Sequence, residues 1–298
     1  MADIKKSEKG ISLVGINDIA TVCRIIENFP DVRFELSYLS TENSLREILP
    51  VIRNRVASVH LLCPRRDYFP NLASEAAYRW SEHEILKDAN LAAECGAKYL
   101  VLHPGYLIDG LLSCDYKKRL AVMQSAGLDE FILQKENAVV KPQYIFSEKY
   151  RHYFEIMKQN ALQLTEKLKS YGLCLCLENL NPRAGYLLLH PSEMKELADS
   201  GLYLCLDTGH MQVNSALFGF DCFEAIKSVL ATGKVMTMHL HSNQSCKETY
   251  IDSHLSLDKY MPFYREILQE GEKTGANLIL EVLEEPERNV GLLYQILL

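Results

Sequence analysis

Short apolar runs alternate along the chain with stretches whose apolar positions recur every three or four residues. The runs are too short for helices and carry almost no polar residue, the pattern of strands buried on both faces. On this reading strands occupy 11–16, 32–39, 56–62, 98–103, 173–177, 203–206, 234–240 and 277–282. Amphipathic helices occupy 19–28, 44–54, 74–95, 147–171, 191–200, 223–232, 262–274 and 287–298. Punctuation agrees with the pattern. Ser44 stands where a helix cap is wanted, Gly96 where a helix ends, and Pro104-Gly105 stops the fourth strand.

Eight strands, each followed by a helix, predict an α/β fold of the closed (β/α)8 barrel type, with residues 1–298 as one domain. An open doubly wound sheet is disfavoured because no glycine-rich phosphate fingerprint follows the first strand. The rhythm breaks once, at residues 106–146. This segment contains pieces with helical pattern (116–125 and 128–136) and emerges after the fourth strand, so it is expected to form an inserted cap or lid over the C-terminal face.

Composition narrows the class only modestly. With 48% hydrophobic residues the chain can bury a large core, and no apolar run approaches the roughly 20 residues that span a bilayer. The charged start MADIKKSEKG lacks the apolar core of a secretion signal. Nine cysteines are odd in number and scattered; Cys174, Cys176 and Cys205 lie inside apolar runs and read as buried free thiols, which points to a reducing cytoplasm. No CxxC pair suggests a thiolate zinc site. A net charge of −7 gives no nucleic-acid footprint over the whole surface, but three bound divalent cations would nearly cancel it and concentrate positive charge in one place.

Candidate chemistry lies at the strand ends. The run YLCLDTGH (203–210) delivers Asp207 and His210 into an expected loop. Other strand ends supply His60, His103, Glu178, His239 and Glu281, and the loop after the seventh strand supplies Asp252 and His254. A lone strand-end histidine is more often a hydrogen-bonded scaffold residue than a ligand. Nine acid or imidazole groups on one barrel rim are different, because their repulsion and desolvation call for a cation. Carboxylate oxygen and imidazole nitrogen together suit a divalent metal. Period-two alternation puts Cys174, Cys176 and Cys205 in the barrel layer beneath, and puts His241 on the same face as His239, as a candidate catalytic partner.

The segments HLLCP, LVLHPG, LCLENL, LCLDTGH, MHLHSN, DSH and LILEV, in that order, resemble the xylose isomerase-like TIM barrels (AP endonuclease family 2), and specifically the endonuclease IV branch. The resemblance runs from about His60 to Glu281. It implies three zinc sites: His60, His103 and Glu178; then Glu178 again with Asp207, His239 and Glu281; then His210, Asp252 and His254. The implied activity is hydrolysis of phosphate esters, on abasic DNA or a smaller phosphorylated substrate, with two or three Zn²⁺ or with Mn²⁺. Sugar isomerases and epimerases of the same superfamily use one ion, which here would be held by Glu178, Asp207, His239 and Glu281. Glu178 and Glu281 would then serve as acid and base, so isomerisation or epimerisation of a sugar or sugar phosphate is the alternative. His60, His103, Asp252 and His254, all present, favour the multi-metal arrangement. Arg65 and Tyr68 fall where the family has a DNA-contacting loop, and Arg183 and Lys247 are candidate contacts to a substrate phosphate. The chain departs from the branch at 179–185, at 255–260 and in the 106–146 insert, which would obstruct a duplex lying across the barrel mouth.

Overall fold

A computed structural model describes residues 6–246 and 248–297 of the chain. Eight parallel strands close into a barrel: β1 (Lys9–Ser12), β2 (Arg33–Leu36), β3 (Val56–His60), β4 (Tyr99–Leu102), β5 (Cys174–Glu178), β6 (Tyr203–Asp207), β7 (Val235–Leu240) and β8 (Asn277–Leu280). Neighbours pair in chain order, and β1 returns to β8 with Gly10 opposite Ile279.

Alternation along the strands divides the core. Leu100, Leu102, Leu175, Leu177, Leu204 and Leu206 join the large apolar layer between barrel and helices. Each such buried leucine contributes about 2 kcal/mol relative to exposure. The intervening residues Tyr99, Val101, Cys176 and Cys205 form a separate buried cluster, with Cys174 and Tyr203 packed against it. Cys176 and Cys205 are buried free thiols as expected, whereas Cys174 is half-buried.

Several element boundaries differ from the sequence reading, each for a local reason. The helix expected from Ser44 runs Glu42–Ile52 and is capped by Thr41, whose side chain accepts from the Ser44 amide; Ser44 completes the reciprocal capping box. Residues 128–136 are not helical. They form a 3-10 turn (Asp129–Phe131) and a strand (Ile132–Gln134) paired antiparallel with Val139–Val140. Asp207 and His210 do not enter a loop, because helix Thr208–Phe218 starts directly at the end of β6. Its composition explains the miss: Thr208, Gly209, His210, Met211, Val213, Asn214 and Leu217 are all buried, so no polar face marks the period. No helix among the described residues is long and apolar enough to cross a membrane.

The insert is tied to the loops around the C-terminal rim. Leu112–Ser113 pairs antiparallel with Tyr68–Phe69 beyond β3. The amide of Val140 donates to Pro182 O (3.0 Å), that of Ala184 to Ala138 O (2.8 Å) and that of Leu107 to Gly185 O (2.8 Å). Buried Asn71 anchors its beginning: the side chain donates to the carbonyls of Ile108 and Gly110 and accepts from the amides of Ala73 and Tyr106. Gly105 (φ +148°) lets the chain pass this point, since a Cβ there would sit 2.8 Å from Asn71 Oδ1. Asn71→Ala leaves these peptide groups without their partner and is expected to cost about 3 kcal/mol, read as a lowered denaturant midpoint.

Candidate functional site

All nine strand-end residues converge at the C-terminal end of the barrel, and three of the groups they form match the sets expected from sequence. Ligand atoms within each group lie within 4.8 Å of one another: His60, His103 and Glu178; Glu178, Asp207, His239 and Glu281; and His210, Asp252 and His254, joined by His241. Glu178 is common to the first two. Its carboxylate lies 2.9 Å from His60 Nε2, 3.6 Å from His103 Nε2 and 3.3 Å from His239 Nδ1.

The histidines are oriented before any ion arrives. His210 Nδ1 lies 2.9 Å from the Asn179 carbonyl and His254 Nδ1 2.9 Å from the Glu281 carbonyl. A carbonyl only accepts, so each Nδ1 carries the proton and each Nε2 is turned toward Asp252, at 3.2 and 3.4 Å. His239 Nδ1 is buried without a hydrogen-bond partner among the described residues, facing Glu178 and Glu281 at 3.3 Å each and Asp207 at 3.9 Å. A buried imidazole nitrogen aimed at three carboxylates fits a divalent cation held among them.

Asp207 works from both ends. One oxygen accepts from the His210 amide at 2.6 Å, capping the helix, and the carboxylate also meets His241 Nε2 at 3.0 Å. Asn179 clamps the Asp207 backbone, donating to its carbonyl (3.0 Å) and accepting from its amide (2.8 Å). The glycine of LDTGH has a steric reason, because a Cβ at Gly209 would collide with the His241 ring. Gly209→Ala is therefore expected to cost about 1–3 kcal/mol, measured by equilibrium unfolding, and to displace His241 from Asp207.

The site's carboxylates and imidazoles offset one another's charge in part. Burial opposes ionisation throughout, yet His239 and His60 hold the Glu178 carboxyl well below the usual range. Against the same burial, His239 holds Glu281 at about 2 and the imidazoles of His254 and His210 hold Asp252 well below normal. Burial would depress the histidines, but Asp207 and Asp252 raise His210 well above normal, and Asp252 raises His254 to about 10. His239, next to Cys205, Glu35 and Glu281, is likewise raised. His103 is the exception, lowered by burial to about 4.

Histidines with raised pKa values hold protons at neutral pH, and a metal ion must displace them. Metal binding should therefore release protons and weaken as pH falls. Calorimetry in two buffers of different ionisation enthalpy is expected to show at least one proton released per ion, and equal heats in both would contradict this.

Above the ligands lies a cavity of about 310 Å³, lined also by Tyr38, Arg119, Asn137, Asn181, Arg183 and Tyr186. This is the small end of ligand pockets, which run to ~1,000 Å³. The insert contributes Arg119 and Asn137. Arg183, expected from sequence, is there and donates to the Asn137 carbonyl at 2.6 Å. Arg65 is exposed and Tyr68 packs edge-on against Trp80; neither is among the residues lining the cavity. Lys247 lies outside the described residues. Sequence reasoning also passed over Glu35, fully buried on β2 and 3.0 Å from His239 Nε2. A carboxylate in the middle of the apolar run VRFELSYL was the available signal.

A closed parallel barrel whose C-terminal rim gathers carboxylates and histidines into one buried group defines the class of molecule. The family model described as xylose isomerase-like TIM barrel matches residues 26–294, and the chain belongs to this family. No curated protein sequence matches it. Among solved structures, a D-tagatose 3-epimerase-like protein is similar at 18% identity, covering 97% of this chain and 95% of that one, with a TM-score of 0.64. The 3-keto-D-glucoside 4-epimerase of E. coli is similar at 11% identity (97% and 100% covered, TM-score 0.64). An L-ribulose 3-epimerase is similar at 18% identity (97% and 86% covered, TM-score 0.58). At these identities the likeness is one of fold.

Proposed function

We propose that the protein is a divalent-metal-dependent isomerase or epimerase of a small sugar or sugar phosphate. The observation that carries this reading is the buried group Glu178, Asp207, His239 and Glu281, of which Glu178 and Glu281 line a small cavity to which the insert adds Arg119 and Asn137. The three similar structures are epimerases or epimerase-like, which supports it. The abasic-DNA and endonuclease IV-like expectation has no such support, and the insert's hydrogen bonds across the rim favour a small substrate over a duplex.

In this reading residues 106–146 are a cap on a single barrel domain. An ion held by the four residues would draw electron density from a substrate carbonyl and the adjacent hydroxyl, acidifying the C–H between them. One of Glu178 and Glu281, as a carboxylate, would take that proton, and epimerisation would be completed by a different proton, drawn from solvent and delivered by the other carboxyl to the opposite face. His241 holds Asp207 in place. Arg119 and Arg183 are the arginines among the described residues lining the cavity, and they suit an anionic group on the far end of the substrate. The metal is Zn²⁺ or Mn²⁺.

A second reading keeps the phosphoesterase class but with a small phosphorylated substrate. It is favoured by the two further ligand groups, around His60 and His103 and around His210, Asp252 and His254, which exceed what one ion needs. Incubating the metal-loaded protein with a panel of ketoses and ketose phosphates separates the two. Interconversion of sugars supports the first, and release of inorganic phosphate without interconversion supports the second.

A further inference from the structure

We infer that Glu35 is a positioning residue that fixes the His239 ring for metal binding. The inference rests on the proposed metal reading. Glu35 sits in the middle of the barrel floor with 0% exposure, and no arginine or lysine is bonded to it among the described residues. Burying a carboxylate there is costly without a specific partner. It has two: the Ser58 hydroxyl donates to Oε2 at 2.7 Å, and His239 Nε2 lies 3.1 Å from the same oxygen and 3.0 Å from the other.

A carboxylate against Nε2 keeps the proton on that nitrogen, which leaves Nδ1 as the ligand atom. Nδ1 is the nitrogen that faces Glu178, Asp207 and Glu281 and lacks a hydrogen-bond partner among the described residues. His60 lies roughly parallel to the ring, centroids 5.6 Å apart, on one of its faces. Ser58 on β3, Glu35 on β2 and His239 on β7 thus form a chain across the barrel interior that ends at the metal group. Carboxylates behind a ligand histidine contribute typically 10–100-fold in metal affinity.

The test compares wild type with Glu35→Ala, Glu35→Gln and Ser58→Ala. Mn²⁺ and Zn²⁺ affinities are measured by calorimetry, and the ring N–H of His239 by ¹⁵N-histidine NMR on metal-free and metal-loaded protein. Glu35→Ala should weaken metal binding 10–100-fold and lose the slowly exchanging Nε2–H signal. Glu35→Gln, whose amide oxygen still accepts from Nε2–H, should retain the signal and lose less affinity. Ser58→Ala, which keeps the carboxylate, should shift the signal and cover the case in which Glu35→Ala does not fold. Unchanged affinity together with an unchanged ring signal in Glu35→Ala, or in Ser58→Ala and Glu35→Gln if that variant is unfolded, overturns the inference. A wild type that binds neither ion overturns the metal reading instead, while the ring signal in metal-free protein still tests Glu35.

Discussion

Glu178→Gln is expected to remove metal binding and to lower turnover by about 10²–10⁴-fold, the range for loss of a catalytic acid–base group. Among the described residues Glu178 is the one carboxylate that meets His60, His103, His239 and His210, at 2.9, 3.6, 3.3 and 3.7 Å. Glutamine keeps the volume but removes the charge that offsets these imidazoles. Uncompensated positive charge then remains at a fully buried position, so the variant should also unfold at lower denaturant, by about 3–5 kcal/mol. The sign with pH follows from the shifts. A carboxyl depressed in the folded state contributes stability above its unfolded pKa and loses it as pH falls, so wild type should lose its advantage over the variant on acidification. Kinetics, metal content and unfolding on one sample check all three, and a variant with full metal content and activity would remove Glu178 from the centre of the site.

Metal removal is expected to have the second largest effect. Chelation should abolish activity and leave a folded protein with a lower thermal midpoint. At a free ion concentration 1,000 times Kd, binding adds about 4 kcal/mol, which for a domain of this size corresponds to a shift on the order of 10 °C. The direction is set by the group Glu178, Asp207, His239 and Glu281, whose three buried carboxylates a divalent ion would compensate. Scanning calorimetry with and without Mn²⁺ or Zn²⁺ reads the shift, and identical midpoints would argue against a bound ion.

The eight strands were legible because strands buried on both faces must be apolar throughout, as in KYLVLH and LCLENL. The same purity made the strand-end acids and histidines conspicuous, and all nine meet at one rim. What was hidden follows from the physics of the missed elements. Helix Thr208–Phe218 is buried on most of its surface and so lacks a polar face to reveal its period. Glu35 hid within a strand because its partners, Ser58 and His239, are 23 and 204 residues away. Arg119 lies in the helix Tyr116–Ser125, whose pattern was legible although its place beside the cavity was not, and Asn137 is placed by its carbonyl's hydrogen bond from Arg183 in a neighbouring loop. Arg65 and Tyr68 were placed at the site by family likeness alone, and loop positions are where such likeness transfers least well.

The most direct measurement is solvent exchange. The metal-loaded protein is incubated in D₂O with ketoses and ketose phosphates, and deuterium at the carbon beside the carbonyl is followed by NMR. The proposed proton transfer predicts incorporation into at least one of these substrates, lost in Glu281→Gln and on chelation. No incorporation into any of them, with inorganic phosphate released from the phosphorylated ones, would contradict isomerisation and establish hydrolysis in its place.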